Sequence, residues 1–320
     1  MELKMTILQK IKRLIKRIPG VKPLLRYERP GYGIVYMLHR VCPHNPEGLY
    51  PNENLKIAPE FLERLIIKKQ TKYDFISLDS LAEIIHSGIK PERPFICFTL
   101  DDGYKDNLKY AGPIFEKYKV PYTIYVTTCF PDQKAFLWWL TLEKIIQNNS
   151  NIKLSNGKIF SAKNKDEKEE AFIAIRSVLL ENTQKEFKEV FSSLLSNYKD
   201  KTFLDLNELL LSWDDIRTMT TSRLCTIGAH TKNHLALNKL DEKTALDEIT
   251  RGKEELENKI GKPVLHMAYP YGSSAEVSER EYGLAKKCGF KTATLSYGGS
   301  FKHLDGQNLF ALPRKLLSDL

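Results

Sequence analysis

The chain has 320 residues, of which 42% are hydrophobic and 28% charged, a balance that belongs to folded globular proteins and excludes disordered or low-complexity chains. Its richest apolar run, 135–140, is six residues long, far short of the ~18–20 that cross a bilayer. The net charge of +9 sits at one end: residues 1–29 hold nine basic and two acidic residues, the rest 40 against 38, so the near-neutral body excludes the basic face of a nucleic-acid binder.

In chain order, the first expected element is a basic amphipathic helix within residues 1–29. Ile7, Ile11, Leu14, Ile15 and Ile18 recur at helical spacing, with Lys10, Lys12, Arg13, Lys16 and Arg17 between them, and Pro19-Gly20 closes the pattern. These charges interrupt the apolar core that a secretory signal requires. Such a helix can lie on an anionic membrane surface or pack on the parent domain with a solvated basic face. Five cysteines with no close pair, Cys42, Cys97, Cys129, Cys225 and Cys288, read as free thiols. The expected location is therefore cytoplasmic, peripheral on the inner membrane if the leader binds lipid.

From residue 30 onward, apolar and β-branched runs alternate with helical patterns. Strands are expected at 33–38, 95–100, 122–127, 224–229, 264–269 and 291–296, with a further one near 309–312. Helices are expected at 59–72, 78–87, 107–118, 241–260 and 275–287. Continuous apolar strands separated by helices indicate a parallel sheet buried on both faces, closed as a barrel or open and doubly wound. One stretch breaks the rhythm: 138–211 is long, polar and mostly helical in pattern, and reads as an insertion between two barrel strands. Within it, 161–170 has no large apolar residue and is expected to be exposed.

Three places could carry chemistry, each at the C-terminal end of an expected strand, where α/β barrels build their active sites. The first is Asp101-Asp102-Gly103. Adjacent carboxylates repel, so the pair suits a cation on one and general-base work on the other; an Asx-turn or helix N-cap would use the same residues. The second is His230 and His234, four apart, a spacing that lets two imidazoles share one metal; either can also be structural. With one carboxylate they make a set that leaves positions open for water and substrate. The third is Tyr269-Pro270-Tyr271-Gly272, a stiff turn that can be a plain loop or can aim a backbone N–H at an oxyanion.

Taken together, Thr99-Leu100-Asp101-Asp102-Gly103, His230-Thr231-Lys232-Asn233-His234 and Ala268-Tyr269-Pro270-Tyr271-Gly272 resemble the polysaccharide deacetylase family, carbohydrate esterase family four, also called the nodulation-protein-B homology domain. The resemblance covers roughly residues 33–317. It implies an α/β fold, a distorted (β/α)7-type barrel with a helical insertion. It implies removal of N- or O-acetyl groups from sugars with a divalent cation, zinc first, with cobalt and nickel as alternatives.

Carried over by position, Asp101 resembles the general base, Asp102, His230 and His234 the metal triad, and the Tyr271 N–H the oxyanion donor. His39, in His39-Arg40-Val41 after the first strand, resembles a histidine proposed as general acid in one branch. Three positions depart from the pattern. Leu100 replaces a usual Phe. Ala268 stands where an Arg usually orients the base, and Arg314, in Leu312-Pro313-Arg314, is the candidate replacement. The usual C-terminal Leu-x-His acid motif is missing, since His303 lies in an expected loop, and this favours His39. His44, His86 and His266 receive no role.

The implied reaction is metal-assisted hydrolysis of an acetamide. Tyr104, Trp138, Trp139 and Trp213 are candidates for a sugar platform, with core packing of the insertion as the other reading of the tryptophans. The expected partner is an acetylated glycan or a lipid-linked sugar precursor, presented at an anionic membrane that residues 1–29 would touch; nucleic acid is not expected. Two rival readings keep the fold: an amidohydrolase of small or cyclic amides, and a catalytically inactive glycan-binding relative.

Overall fold

The computed structural model describes residues 31–181, 187–198 and 204–320; the basic leader expected over 1–29 lies outside them. Seven strands form the centre: β1 (Gly33–Leu38), β2 (Phe95–Leu100), β3 (Tyr122–Val126), β4 (Cys225–Ala229), β5 (His266–Ala268), β6 (Thr292–Gly298) and β7 (Leu312–Leu316). Each pairs in parallel with the next in chain order, and β7 returns to β1, so the sheet is the expected closed barrel and not the open, doubly wound alternative. The closure is uneven. β1 and β2 pair along their full length, Gly33 opposite Phe95 through Leu38 opposite Leu100, whereas β4 and β5 share one register pair, Met267 opposite Ala229.

Every residue of β1, β2 and β3 is buried. That is why these strands read as unbroken apolar runs: one face fills the barrel and the other packs under helices. The helical layer begins with α1 (Pro59–Lys69), α2 (Leu78–Ser87) and α3 (Gly112–Lys117). Between β3 and β4 come α4 (Trp138–Gln147), α5 (Lys165–Glu181), α6 (Phe187–Leu194) and α7 (Trp213–Met219). α8 (Glu242–Ile260) and α9 (Glu279–Lys287) follow β4 and β5. The segment from α4 to α6 also holds a short antiparallel hairpin, Asn151–Lys153 with Ile159–Ser161, and has its own apolar cluster that includes Trp138, Leu142, Ile146, Phe172, Phe187 and Phe191.

Local signals set most boundaries. Asp241 caps α8 by accepting from the Thr244 N–H, and Gly261, in the left-handed conformation at φ +67°, ends it. Several boundaries differ from the sequence reading. α9 starts at Glu279 and not near 275, because Ser278 and Glu281 form a capping box. The helix expected from 107 to 118 opens as a π-turn, Asn107–Ala111, before continuing as α3. The last strand is Leu312–Leu316, not 309–312. Pro313 looks like a strand stop, but it falls where the β6–β7 register is irregular, a place where its missing N–H is tolerated.

Candidate active site

The C-terminal ends of the barrel strands bring together residues from five of the seven. His39 follows β1 directly, Asp101 and Asp102 follow β2, His230 follows β4, Tyr271 comes three residues after β5, and Arg314 lies within β7. The backbone is bent to do this. Asp102, Thr231, His234 and Tyr271 have φ of +80°, +62°, +58° and +61°, four of the six non-glycine positive values among the described residues. Such conformations cost on the order of 1–3 kcal/mol each and cluster where geometry is functional.

Asp102, His230 and His234 converge so that one ligand atom from each lies within 4.8 Å of the others. Asp102 Oδ1 is 3.5 Å from His230 Nε2 and 3.3 Å from His234 Nε2, and it makes no hydrogen bond although buried. His230 Nδ1 lies 2.8 Å from the Ala268 carbonyl, which turns Nε2 toward the cluster, the arrangement expected of a metal-ligating imidazole. Burial pushes His230 down to about 4, against weaker opposing pull from Asp101 and Asp102, so the ring is neutral near pH 7. For Asp102, burial favours the protonated form, but the imidazoles around it, His234 first, then His39 and His230, outweigh it, and the carboxyl sits well below the usual range. An orphaned buried carboxylate oxygen facing two imidazoles is the donor set that a divalent cation of the zinc type fits.

Asp101 is buried and bound by Arg314 in a bidentate pair: Nη1 donates to Oδ1 at 2.6 Å and Nη2 to Oδ2 at 2.8 Å. Arg314, 1% exposed, is fixed in turn through Nε to the Leu295 carbonyl at 2.7 Å and Nη1 to Thr99 Oγ1 at 3.1 Å. Burial raises the Asp101 pKa, but Arg314 above all, then His230 and His39, hold it below the ordinary value. Ala268 offers no guanidinium, and the one that pairs with Asp101 comes from β7.

His39 is half-buried, and its Nδ1 has no hydrogen-bond partner. Its carbonyl accepts from Asn107 Nδ2 at 3.0 Å, while Asp106 binds both the Arg40 Nε at 2.7 Å and the Val41 N–H at 3.0 Å. Asp106 and Asn107 are 7% and 0% exposed, and the sequence reading did not single them out. The polar pair looks like an ordinary solvated helix start; in the structure Asn107 opens the π-turn and the pair faces the His39 segment. The Tyr271 N–H makes no hydrogen bond among the described residues. Its side chain accepts from Trp138 Nε1 at 3.2 Å, and its ring stands edge-on to His234 at 4.9 Å.

Beside His234 opens a pocket of about 290 Å³ lined mainly by rings, among them Phe130, Phe136, Trp138, Trp139, Phe187 and Tyr271. Trp139 approaches His234 to 5.5 Å between centroids and donates through Nε1 to Tyr104 Oη at 3.0 Å. The platform residues separate here. Trp138 and Trp139 line the pocket, Tyr104 is buried behind Trp139, and Trp213 lies elsewhere, bonded to Asp132 with Lys259 over its ring. Phe130, Phe136 and Phe187 carried no motif in the sequence, because single aromatics in an insertion read as core. His266 is fully buried with Nδ1 2.8 Å from Thr292 Oγ1, and His44 bridges Glu53 and Asp319, so both have structural partners.

A family profile described as polysaccharide deacetylase matches residues 88–293. Among solved structures, the Streptococcus pyogenes deacetylase PplD, in complex with acetate, superposes with a TM-score of 0.59 at 16% identity, covering 89% of this chain and 92% of that one. IcaB from Ammonifex degensii gives 0.56 at 16% identity over 90% and 92%, and a de-N-acetylase from Aggregatibacter actinomycetemcomitans 0.54 at 14% over 89% and 95%. Identities this low speak for the fold alone. A search of curated protein sequences gave no significant match. The profile spans more than half of the chain and includes both aspartates, both histidines and Tyr271, and the chain belongs to the polysaccharide deacetylase family.

Proposed function

We propose that this glycan deacetylase is metal-dependent and hydrolyses an N-acetyl group, with Asp102, His230 and His234 as the metal ligands. The observation that carries this is the unpartnered Asp102 Oδ1 facing two imidazole nitrogens at 3.3 and 3.5 Å. Bound there, a divalent cation supplies a Lewis acid for the acyl carbonyl and acidifies water. Asp101, ionised and aimed by Arg314, takes the proton of the attacking water. The free Tyr271 N–H donates to the oxyanion, an interaction worth ~3–4 kcal/mol when such a donor is lost. His39 donates a proton to the departing sugar nitrogen, which would otherwise leave as an amine anion. The rings beside His234, Trp139 foremost, offer an apolar face to a sugar.

The substrate we favour is a lipid-linked precursor of a surface glycan. The support is the basic leader, whose lysines and arginines near anionic lipid are worth ~1 kcal/mol each. Zinc analysis of the purified chain, together with acetate release on a panel of N-acetylated glycans and cyclic imides, tests the chemistry. Imide ring-opening without acetate release would favour the small-amide reading. Equal liposome sedimentation of the full chain and a chain lacking residues 1–29 would remove the membrane contact.

A further inference from the structure

The two histidines of the cluster are held in different ways. His230 directly follows β4, and its ring is bonded to the Ala268 carbonyl. His234 stands four residues out on a loop, its Nδ1 has no hydrogen-bond partner, and its own backbone is left-handed. Neighbouring rings pack on it, but its polar orientation depends on where the loop backbone is placed.

One face of α8 places that backbone. Glu248, 6% exposed, accepts twice from Asn233: the backbone N–H reaches Oε2 at 2.8 Å and the side-chain amide reaches Oε1 at 2.6 Å. The Glu248 carbonyl also accepts the Lys232 N–H at 3.1 Å. The loop can come this close because the residue one turn later is Gly252. A Cβ there would stand 2.7 Å from the Thr231 carbonyl carbon and 2.9 Å from its oxygen. One turn further, Glu255 accepts from Thr128 Oγ1 at 2.7 Å, and the Cys129 N–H donates to the Lys232 carbonyl at 2.9 Å. Positions 248, 252 and 255 share one helical face, so a single rigid element sets the loop.

We propose that Glu248 is a positioning residue for His234: its double bond to Asn233 fixes the loop at the place where His234 can share a cation with Asp102 and His230. This rests on the reading of those three residues as a metal centre. The test is zinc affinity of the full chain, measured by competition with a chromophoric chelator, for the wild type, Glu248→Gln, Asn233→Asp and the two combined. In Glu248→Gln an amide nitrogen faces the Asn233 amide, and in Asn233→Asp two carboxylates oppose each other. In the double variant one amide and one carboxylate meet again with roles exchanged. Each single variant should weaken zinc binding about 10–100-fold, the usual effect of losing a partner that orients a ligand, and the double variant should recover most of it. A role confined to packing would not produce that recovery. Folded single variants that bind zinc like the wild type, or a double variant no better than the singles, overturn the positioning role alone. A wild type that binds no zinc overturns the metal centre and this role with it. Should a single variant fail to fold, Asn233→Ala, which leaves the backbone bond to Glu248, must still bind zinc several-fold more weakly; unchanged affinity counts against the proposal.

Discussion

The guanidinium of Arg314 and the carboxylate of Asp101 meet fork to fork, at 2.6 and 2.8 Å, between residues 213 positions apart. Both groups are buried, so each compensates the other's desolvation. Only arginine presents two parallel N–H groups that match both carboxylate oxygens at once. Arg314→Met leaves Asp101 buried without a counter-charge and should cost about 3–5 kcal/mol in urea denaturation. Arg314→Lys should fall between. It should also move the acid limb of the activity profile to higher pH, because weaker pairing lets the Asp101 pKa rise. An Arg314→Met protein as stable as wild type would remove the pair from the account.

Replacing the Asp101 carboxylate tests its role as base. Asp101→Asn keeps the size and a hydrogen bond to Arg314 and leaves the three ligand side chains in place. Zinc content should therefore match the wild type while turnover falls about 100-fold or more, the scale of a lost general base. Retained turnover would assign the base elsewhere.

His39 is not one of the three cluster residues, and its buried Nδ1 has no hydrogen-bond partner among the described residues. His39→Ala should lower kcat with little change in zinc content. Asn107→Ala, which frees the His39 carbonyl, should lower kcat by a smaller factor. A near-normal rate for His39→Ala would place the acid elsewhere.

His230 gives the metal-free protein a defined response to acid. Its buried imidazole sits at about 4, below the ordinary ~6.5. At neutral pH the ring is largely uncharged in both the folded and unfolded chain and contributes little. Between ~6.5 and ~4 the unfolded chain binds a proton that the folded one refuses. Acidification therefore favours unfolding by up to ~1.4 kcal/mol per pH unit. Urea titrations of chelator-treated protein from about pH 7 to 5 should show this slope in the wild type and a shallower one in His230→Asn. Equal slopes would contradict a ring buried in its neutral form.

Trp139 supplies part of the pocket's aromatic wall beside His234. Trp139→Ala should raise KM several-fold for a glycan substrate, with a smaller effect on kcat and no change in zinc affinity. Loss of zinc instead would make Trp139 a support for His234 and not a substrate contact.

The strands of the barrel were legible because burial on both faces leaves continuous apolar runs, and β1 and β2 begin and end where those runs do. Asp101, Asp102, His230 and His234 stood out because they fall at expected strand ends in an order and spacing that resemble the family's motifs; taken singly, each also fitted a turn, a cap or a structural histidine. Asp106, Asn107 and Glu248 were not legible. Each is a common polar residue at a helix start or on a helix face, and its burial comes from a second element packing over it. The hairpin inside the insertion was also missed, since Asn151–Lys153 and Ile159–Ser161 are too short to show a period of two.

The order of apolar runs and strand-end motifs by itself determined the alternation of strand and helix and the residue types available for chemistry, because those follow from local periodicity and local chemical rarity. Only the tertiary structure decided which of them meet. Closing β7 onto β1 puts Arg314 opposite Asp101, and packing α8 under the His234 loop supplies Glu248. Contacts of that kind join residues distant in sequence through barrel closure and helix packing, and no local pattern along the chain encodes the distance between them.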